Sequence, residues 1–183
     1  RAGVPNTDFL WYEQPRSARE IIGQLRQVEL ETSPRTHFTY QNVMYAVAGE
    51  VVAAASGMPW ADFVRTRIFE PLGMGDTFFR EDGNALPDRA LRGHFEAADG
   101  GVYEEPVRFH AVGAGGLWTT VADLATWSAN FDEDRLTGGW LPERLTTRGT
   151  LDDGTPIHYA WGLSVRTHRG LPIVSHGGNF PGW

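Results

Sequence analysis

An α+β chain is expected from three observations. Apolar residues recur at helical spacing between Ala18 and Phe131, the stretch from Pro71 to Gly116 is punctuated by glycine and proline, and alternating strand-like runs follow Tyr159. Ser17-Ala18-Arg19-Glu20 has the form of a capping box, and Ile21, Ile22, Leu25 and Val28 place a helix from about Ala18 to Glu29. Ser33-Pro34 ends that region, because the residue before a proline is pushed toward extended geometry. A second helix is expected from about Gln41 to Ser56. Val43, Met44, Val47, Val51, Val52 and its alanines make it apolar around much of its circumference, the mark of a helix buried inside a domain. Gly57 suits the left-handed residue that ends it. Pro59 suits the first turn of a third helix reaching about Phe69, with Trp60, Phe63, Val64, Ile68 and Phe69 facing inward.

Pro71 to Gly116 reads mostly as loop, with short strands at Val102-Tyr103 and Val107-Arg108-Phe109. Thr120-Val121-Ala122-Asp123 opens a fourth helix carrying Leu124, Trp127 and Phe131. Strands Tyr159 to Thr167 and Leu171 to Ser175 flank His168-Arg169-Gly170, a hairpin signal. Residues 1–150 thus read as a helical and loop region and 151–183 as a hairpin region of one domain, without internal repeats.

Composition narrows the function. The 183 residues are 41% hydrophobic and 12% aromatic, enough for one sizeable core. The net charge is −7 with no basic run, which argues against a nucleic-acid partner. All 16 basic residues are arginine, so chemistry requiring a lysine amine is absent from these residues. With no cysteine there is no thiol nucleophile, and either redox compartment is compatible. No apolar run reaches transmembrane length. The six histidines are scattered, without metal-ligand spacing, and no cofactor is expected. Gly113-Ala114-Gly115-Gly116 does not make a dinucleotide site, since it lacks the third glycine at the required spacing and a surrounding βαβ unit. Asp152-Asp153-Gly154 reads as a solvated turn.

Two short motifs could carry chemistry. Tyr40 precedes the second helix, where the positive helix end would favour an ionised phenol and a general-base role; a packing anchor is the ordinary alternative. Asn42 reads equally as a helix N-cap. His176-Gly177-Gly178 follows an apolar strand, where two glycines allow close approach of a ligand and a histidine can exchange a proton near neutrality; a plain surface turn is its alternative.

The ordered set Tyr40-Gln41-Asn42, Ser56-Gly57-Met58-Pro59-Trp60, Ile68-Phe69-Glu70-Pro71-Leu72-Gly73-Met74, Ala114-Gly115-Gly116-Leu117-Trp118-Thr119-Thr120 with Asp123-Leu124, and His176-Gly177-Gly178 closely resembles the serine β-lactamase-like family. That family contains class C β-lactamases, DD-peptidases, D-aminopeptidases and related esterases. Ala2-Gly3-Val4-Pro5 and Asp8 to Tyr12 are similar to the segment following its Ser-Gly-Leu-Pro-type turn. The resemblance implies a β-lactamase/transpeptidase-like fold, a helical region packed on an antiparallel sheet with flanking helices, the sheet incomplete here. It implies Tyr40 as general base, Asn42 as a hydrogen-bond partner of the substrate amide, and His176-Gly177-Gly178 as the counterpart of a Lys-Thr-Gly strand motif. The Asn179 N–H would be one oxyanion-hole donor.

The family's nucleophile belongs to a Ser-x-x-Lys motif, which a lysine-free chain does not contain. The resemblance therefore implies part of a serine hydrolase that forms an acyl-enzyme on a D-amino-acid peptide, an ester or a β-lactam, with these residues alone inactive. The chain starts without Met and stops after a strand-like run, as expected of a piece of a longer protein. Histidine in place of a permanently cationic lysine favours a peptidase or esterase over a β-lactamase. The alternative is a catalytically silent protein of the same fold that binds peptides or peptidoglycan-like ligands.

Overall fold

The computed structural model describes residues 1–10, 16–80, 86–104 and 113–179; the strand expected at Val107-Arg108-Phe109 lies outside them. At the first helix, α1 (Ala18–Gln24), the capping box forms. Ser17 Oγ accepts from the Glu20 N–H at 3.3 Å, and the Glu20 carboxylate accepts from the Ser17 N–H at 2.8 Å. The helix then tightens into a 3₁₀ turn, Leu25–Gln27, and stops at Val28, whose backbone is extended, short of the expected Glu29.

Helix α2 (Asn42–Ser56) ends at Gly57 in the left-handed conformation. Its Val43 and Ala46 are fully buried with Ile21 of α1, while Leu25, Met44 and Ala114 pack around them. Burying a side chain such as Ile21 or Val43 stabilises the fold by roughly 1.5–3 kcal/mol. The expectation that α2, apolar around much of its circumference, is a buried helix holds for one side only: Val43, Ala46 and Gly49 form a covered stripe, and Val51 on another side is 61% exposed. The reading of Asn42 as N-cap is also corrected. Gln41 occupies that position with an extended backbone, and Asn42 is the first helical residue.

Beyond Pro59, which is the N-cap rather than a first-turn residue, α3 (Trp60–Val64) runs through a wide π turn, Arg65–Phe69, into α4 (Glu70–Leu72). Gly73, again left-handed, ends the run three residues past the expected boundary. The expected inward face is the observed one. Val64 and Phe69 are buried with Leu72 and Met74, and Trp60, Phe63 and Ile68 pack against them together with Phe79, Trp127 and Leu136.

The region read mostly as loop contributes β1 (Phe78–Phe79), β2 (His94–Glu96) and β3 (Val102–Glu104), the last where a strand at Val102-Tyr103 was expected, and β4 (Leu117–Trp118) follows it. β1 pairs antiparallel with β4, Phe78 opposite Trp118, and β2 pairs with β3. Helix α5 (Val121–Glu133) starts at Thr120, whose Oγ accepts from the Asp123 N–H at 3.2 Å. The Asp123 carboxylate then accepts from the Asp76 N–H at 2.9 Å and the Thr77 hydroxyl at 2.7 Å, tying α5 to the turn after α4. A sixth helix, α6 (Leu141–Thr146), was not expected from the apolar pattern; its Leu141 N–H donates to Asp134, 3.3 Å away.

β5 (Ser164–His168) and β6 (Leu171–Ser175) form the expected hairpin, Ser164 opposite Ser175 and His168 opposite Leu171. Its two loop residues, Arg169 and Gly170, both have positive φ, the signature of a type I′ turn. The first strand is shorter than expected because the chain reverses at Ala160–Leu163, where Gly162 has φ +86°, and Tyr159 bridges back to Ser164. The fold is thus α+β, with antiparallel sheets that are small and incomplete among the described residues.

Candidate active site

Tyr40 is held at the entry to α2 by the residue beside it. The Gln41 amide, buried, donates to the carbonyl oxygens of Val4, at 2.8 Å, and Pro5, and so clamps the N-terminal loop against the helix start. At the other side of the site, β6 delivers His176 one residue past its end, and the Ala160–Leu163 reversal lays Tyr159 along the same end of the hairpin. Residues 136 positions apart then meet: Tyr40 Oη lies 3.4 Å from His176 Nε2, and Tyr159 Oη lies 3.0 Å from the same nitrogen. The three rings pack with centroid separations of 6.0–6.1 Å, and Phe38 lies against Tyr159 at 5.4 Å.

The roles of donor and acceptor follow from chemistry. His176 Nδ1 faces the carbonyl oxygen of Gly177, which can only accept, so Nδ1 carries the hydrogen. In the neutral ring Nε2 is then the acceptor, with one lone pair into which Tyr40 can donate.

Burial, and after it the negative charge of Asp8, push the Tyr40 phenol above its ordinary value. This corrects the expectation that the end of α2 favours the phenolate: the resting hydroxyl keeps its proton. Tyr45 is raised chiefly by burial, and Tyr159 is raised strongly, by burial first and by Tyr45 and Tyr40 after it. Tyr40, Tyr45 and Tyr159 also line a cavity of about 210 Å³ with Phe38, Met44 and Ile157.

Asn42 turns its side-chain amide nitrogen toward the Asp8 carboxylate, at 3.2 and 3.3 Å. A carboxylate accepts only, so the nitrogen, not the oxygen, faces it. Gly177, Gly178 and Asn179 follow His176 on an exposed stretch, and space beside the two glycine Cα atoms is open. The structure therefore brings Tyr40 and His176 together and places Asn42 two residues along from Tyr40. Tyr45, Tyr159 and Asp8 were not singled out from the sequence as site residues. Tyr45 could have been, since it lies one helical turn beyond Asn42 on the same face. Nothing local marks Tyr159 or Asp8.

Gly113-Ala114-Gly115-Gly116 serves packing: a Cβ on Gly113 would lie 2.5 Å from the Tyr45 carbonyl oxygen, so only glycine lets this loop close onto α2. Among the described residues no helix is long and apolar enough to cross a membrane.

The structure thus sets a Tyr-Gln-Asn segment at the start of α2 facing a His-Gly-Gly segment just past β6. The chain belongs to the beta-lactamase family, whose model matches residues 1–183. It is 28% identical over 172 residues to a D-aminopeptidase from Gluconobacter oxydans, a match covering 94% of this chain and 32% of that protein. A D-aminopeptidase from Brucella ovis is 27% identical over 173 residues, covering 92% and 32%. The chain thus spans about a third of the length of these curated relatives. Among solved structures, a D-amino acid amidase from Ochrobactrum anthropi SV3 complexed with L-phenylalanine amide superposes with a TM-score of 0.77 at 25% identity, covering 100% of this chain and 56% of that one. An octameric penicillin-binding protein homologue from Pyrococcus abyssi gives 0.78 at 21% identity, covering 95% and 43%, a likeness of fold.

Proposed function

We propose that this chain supplies the Tyr-x-Asn and His-Gly-Gly parts of a serine hydrolase site that acts through an acyl-enzyme on an amide or ester, with a D-amino-acid peptide or amide as the substrate class. The observation that carries the reading is the approach of Tyr40 Oη to His176 Nε2. The D-aminopeptidase and D-amino acid amidase relatives support the substrate class.

In this reading the nucleophilic serine belongs to a Ser-x-x-Lys segment outside these residues, and the 183 residues alone do not turn over substrate. Tyr40 is protonated at rest, so it accepts the serine proton only while passing its own to His176 Nε2. The serine oxygen bonds to the substrate carbonyl carbon, the phenol is left neutral, and the imidazole becomes imidazolium. The proton returns along the same path to the leaving amine or alcohol. The Asn179 N–H stabilises the carbonyl oxygen as charge develops on it, and Asn42, with its nitrogen held by Asp8, offers its oxygen to the substrate amide.

The test is a fluorophosphonate probe applied to a longer protein carrying this chain and a Ser-x-x-Lys segment. One labelled serine is expected; no labelled serine points instead to the silent peptide-binding protein. In the same protein Tyr40→Phe is expected to lower acyl transfer by roughly 10²–10⁴. A near-unchanged rate would remove Tyr40 from the chemistry.

A further inference from the structure

We infer that Asp8 is a positioning residue that makes the site select an amide bearing an N–H over an ester: its carboxylate holds the Asn42 amide nitrogen, so that only an acceptor, Oδ1, is left to meet the substrate. The substrate consequence rests on the reading above; the orientation of Asn42 rests on geometry.

Asp8 is itself fixed by its neighbours. Its N–H donates to Asn6 Oδ1 at 3.0 Å, Asn6 Nδ2 reaches back to Asp8 Oδ2 at 3.3 Å, and the 3₁₀ turn Asp8–Leu10 follows directly. The loop that carries it is seated on the start of α2 by the Gln41 amide, which donates to the Val4 and Pro5 carbonyls. Asn42, half-buried as the first residue of α2, then points Nδ2 at both Asp8 oxygens, at 3.2 and 3.3 Å. A carboxylate cannot donate, so the reversed amide would set Oδ1 against two oxygens. Asp8 therefore admits one orientation of Asn42 where a neutral amide would admit two. Among the described residues Asn42 Oδ1 accepts from no other side chain, and it stands two residues along from Tyr40.

The chemistry of that leftover atom selects the substrate. The N–H of a primary or secondary amide can donate to it. An ester oxygen cannot, nor can the ring nitrogen of a β-lactam, which carries no hydrogen; each would face Oδ1 with a lone pair.

The experiment is Asp8→Asn in a longer protein carrying this chain and a Ser-x-x-Lys segment, with kcat/KM measured for D-phenylalanine amide and for D-phenylalanine methyl ester. The new side chain has the same shape. To keep accepting from Asn6 it places its own NH₂ where Oδ1 of Asp8 stood, so Asn42 turns over and presents a donor. The amide-to-ester ratio of kcat/KM is expected to fall roughly five-fold, the loss of one ordinary hydrogen bond. An equal loss on both substrates, the mark of a merely structural role, would overturn the proposal. If that variant does not fold, NMR of the ¹⁵N,¹³C-labelled wild-type chain decides, with the Asn42 side-chain amide assigned by its loss in Asn42→Asp. Its signals are expected to move together with the Asp8 carboxyl carbon during acid titration of the folded chain; amide signals that stay in place while that carbon titrates would refute the inference. The proposed enzyme activity fails or stands separately, through the serine-labelling result.

Discussion

Replacing Gly113 by alanine tests the contact that closes the loop before β4 onto α2. Two costs add. Gly113 has φ +97°, where an L side chain costs roughly 1–2 kcal/mol. The new Cβ would also lie 2.5 Å from the Tyr45 carbonyl oxygen, 3.3 Å from its carbonyl carbon and 3.4 Å from Gly49 Cα. These are backbone atoms of α2 and cannot rotate aside, so the loop or helix must shift, at about 1–3 kcal/mol. The lower entropy of the unfolded alanine chain offsets about 0.4–1 kcal/mol, leaving a net loss of roughly 1–5 kcal/mol. Gly57→Ala is the matched control. Gly57 is also left-handed, at φ +71°, but a Cβ there meets no atom within 4 Å, so only the conformational cost of roughly 1–2 kcal/mol, less the same unfolded-state offset, applies. Urea unfolding followed by tryptophan fluorescence at low protein concentration should place the Gly113→Ala midpoint about 0.5–1.5 M below that of Gly57→Ala, the steric term divided by a slope of about 2 kcal/mol/M. Equal midpoints would refute the steric argument and leave φ as the sole cause.

Three further outcomes are expected. Tyr40, Tyr45 and Tyr159 all have folded values raised above the unfolded 10.0, so their contribution to stability is fully present below pH 10 and is lost as pH rises through their folded values; alkaline denaturation monitored at the tyrosinate absorbance should show cooperative unfolding there, weakened in Tyr159→Phe. Ser17→Ala should cost about 1 kcal/mol by removing the α1 cap. Because the cap's hydrogen bonds lower the Glu20 carboxyl below 4.5, that difference should shrink as pH falls through the lowered value. Asp123→Ala should lower stability by at least about 2 kcal/mol, since it strips the acceptor from the Asp76 N–H and the buried Thr77 hydroxyl, whereas Asp123→Asn should recover much of the loss by keeping an oxygen.

Local chemistry was legible along the chain. The Ser17–Glu20 box, the Thr120 cap, the glycine at position 57 and the Arg169-Gly170 turn each act over a few residues, and each forms where the sequence places it. The inward face of α3 was readable for the same reason, since helical spacing alone selects Trp60, Val64 and Ile68. The short strands β1 and β4 were not, because two-residue strands carry no alternation to detect; Phe78 and Trp118, 40 positions apart, become partners only by stacking across the sheet. Nor was the partial burial of α2, because an apolar pattern states which surfaces can be covered and not which are.

The candidate site divides along the same line. Tyr40, Asn42 and His176-Gly177-Gly178 stand in the sequence as ordered motifs, and with them the family and the α+β class. Their meeting depends on long-range placement: Gln41 clamping the N-terminal loop, the reversal at Gly162 returning Tyr159, and the hairpin register carrying His176 to the same edge. The protonation of Tyr40 was misjudged from sequence for a related reason. A helix end is a local field that can be read from neighbours, but burial and the charge of Asp8, 32 positions away, which both raise the phenol, exist only once the chain has folded.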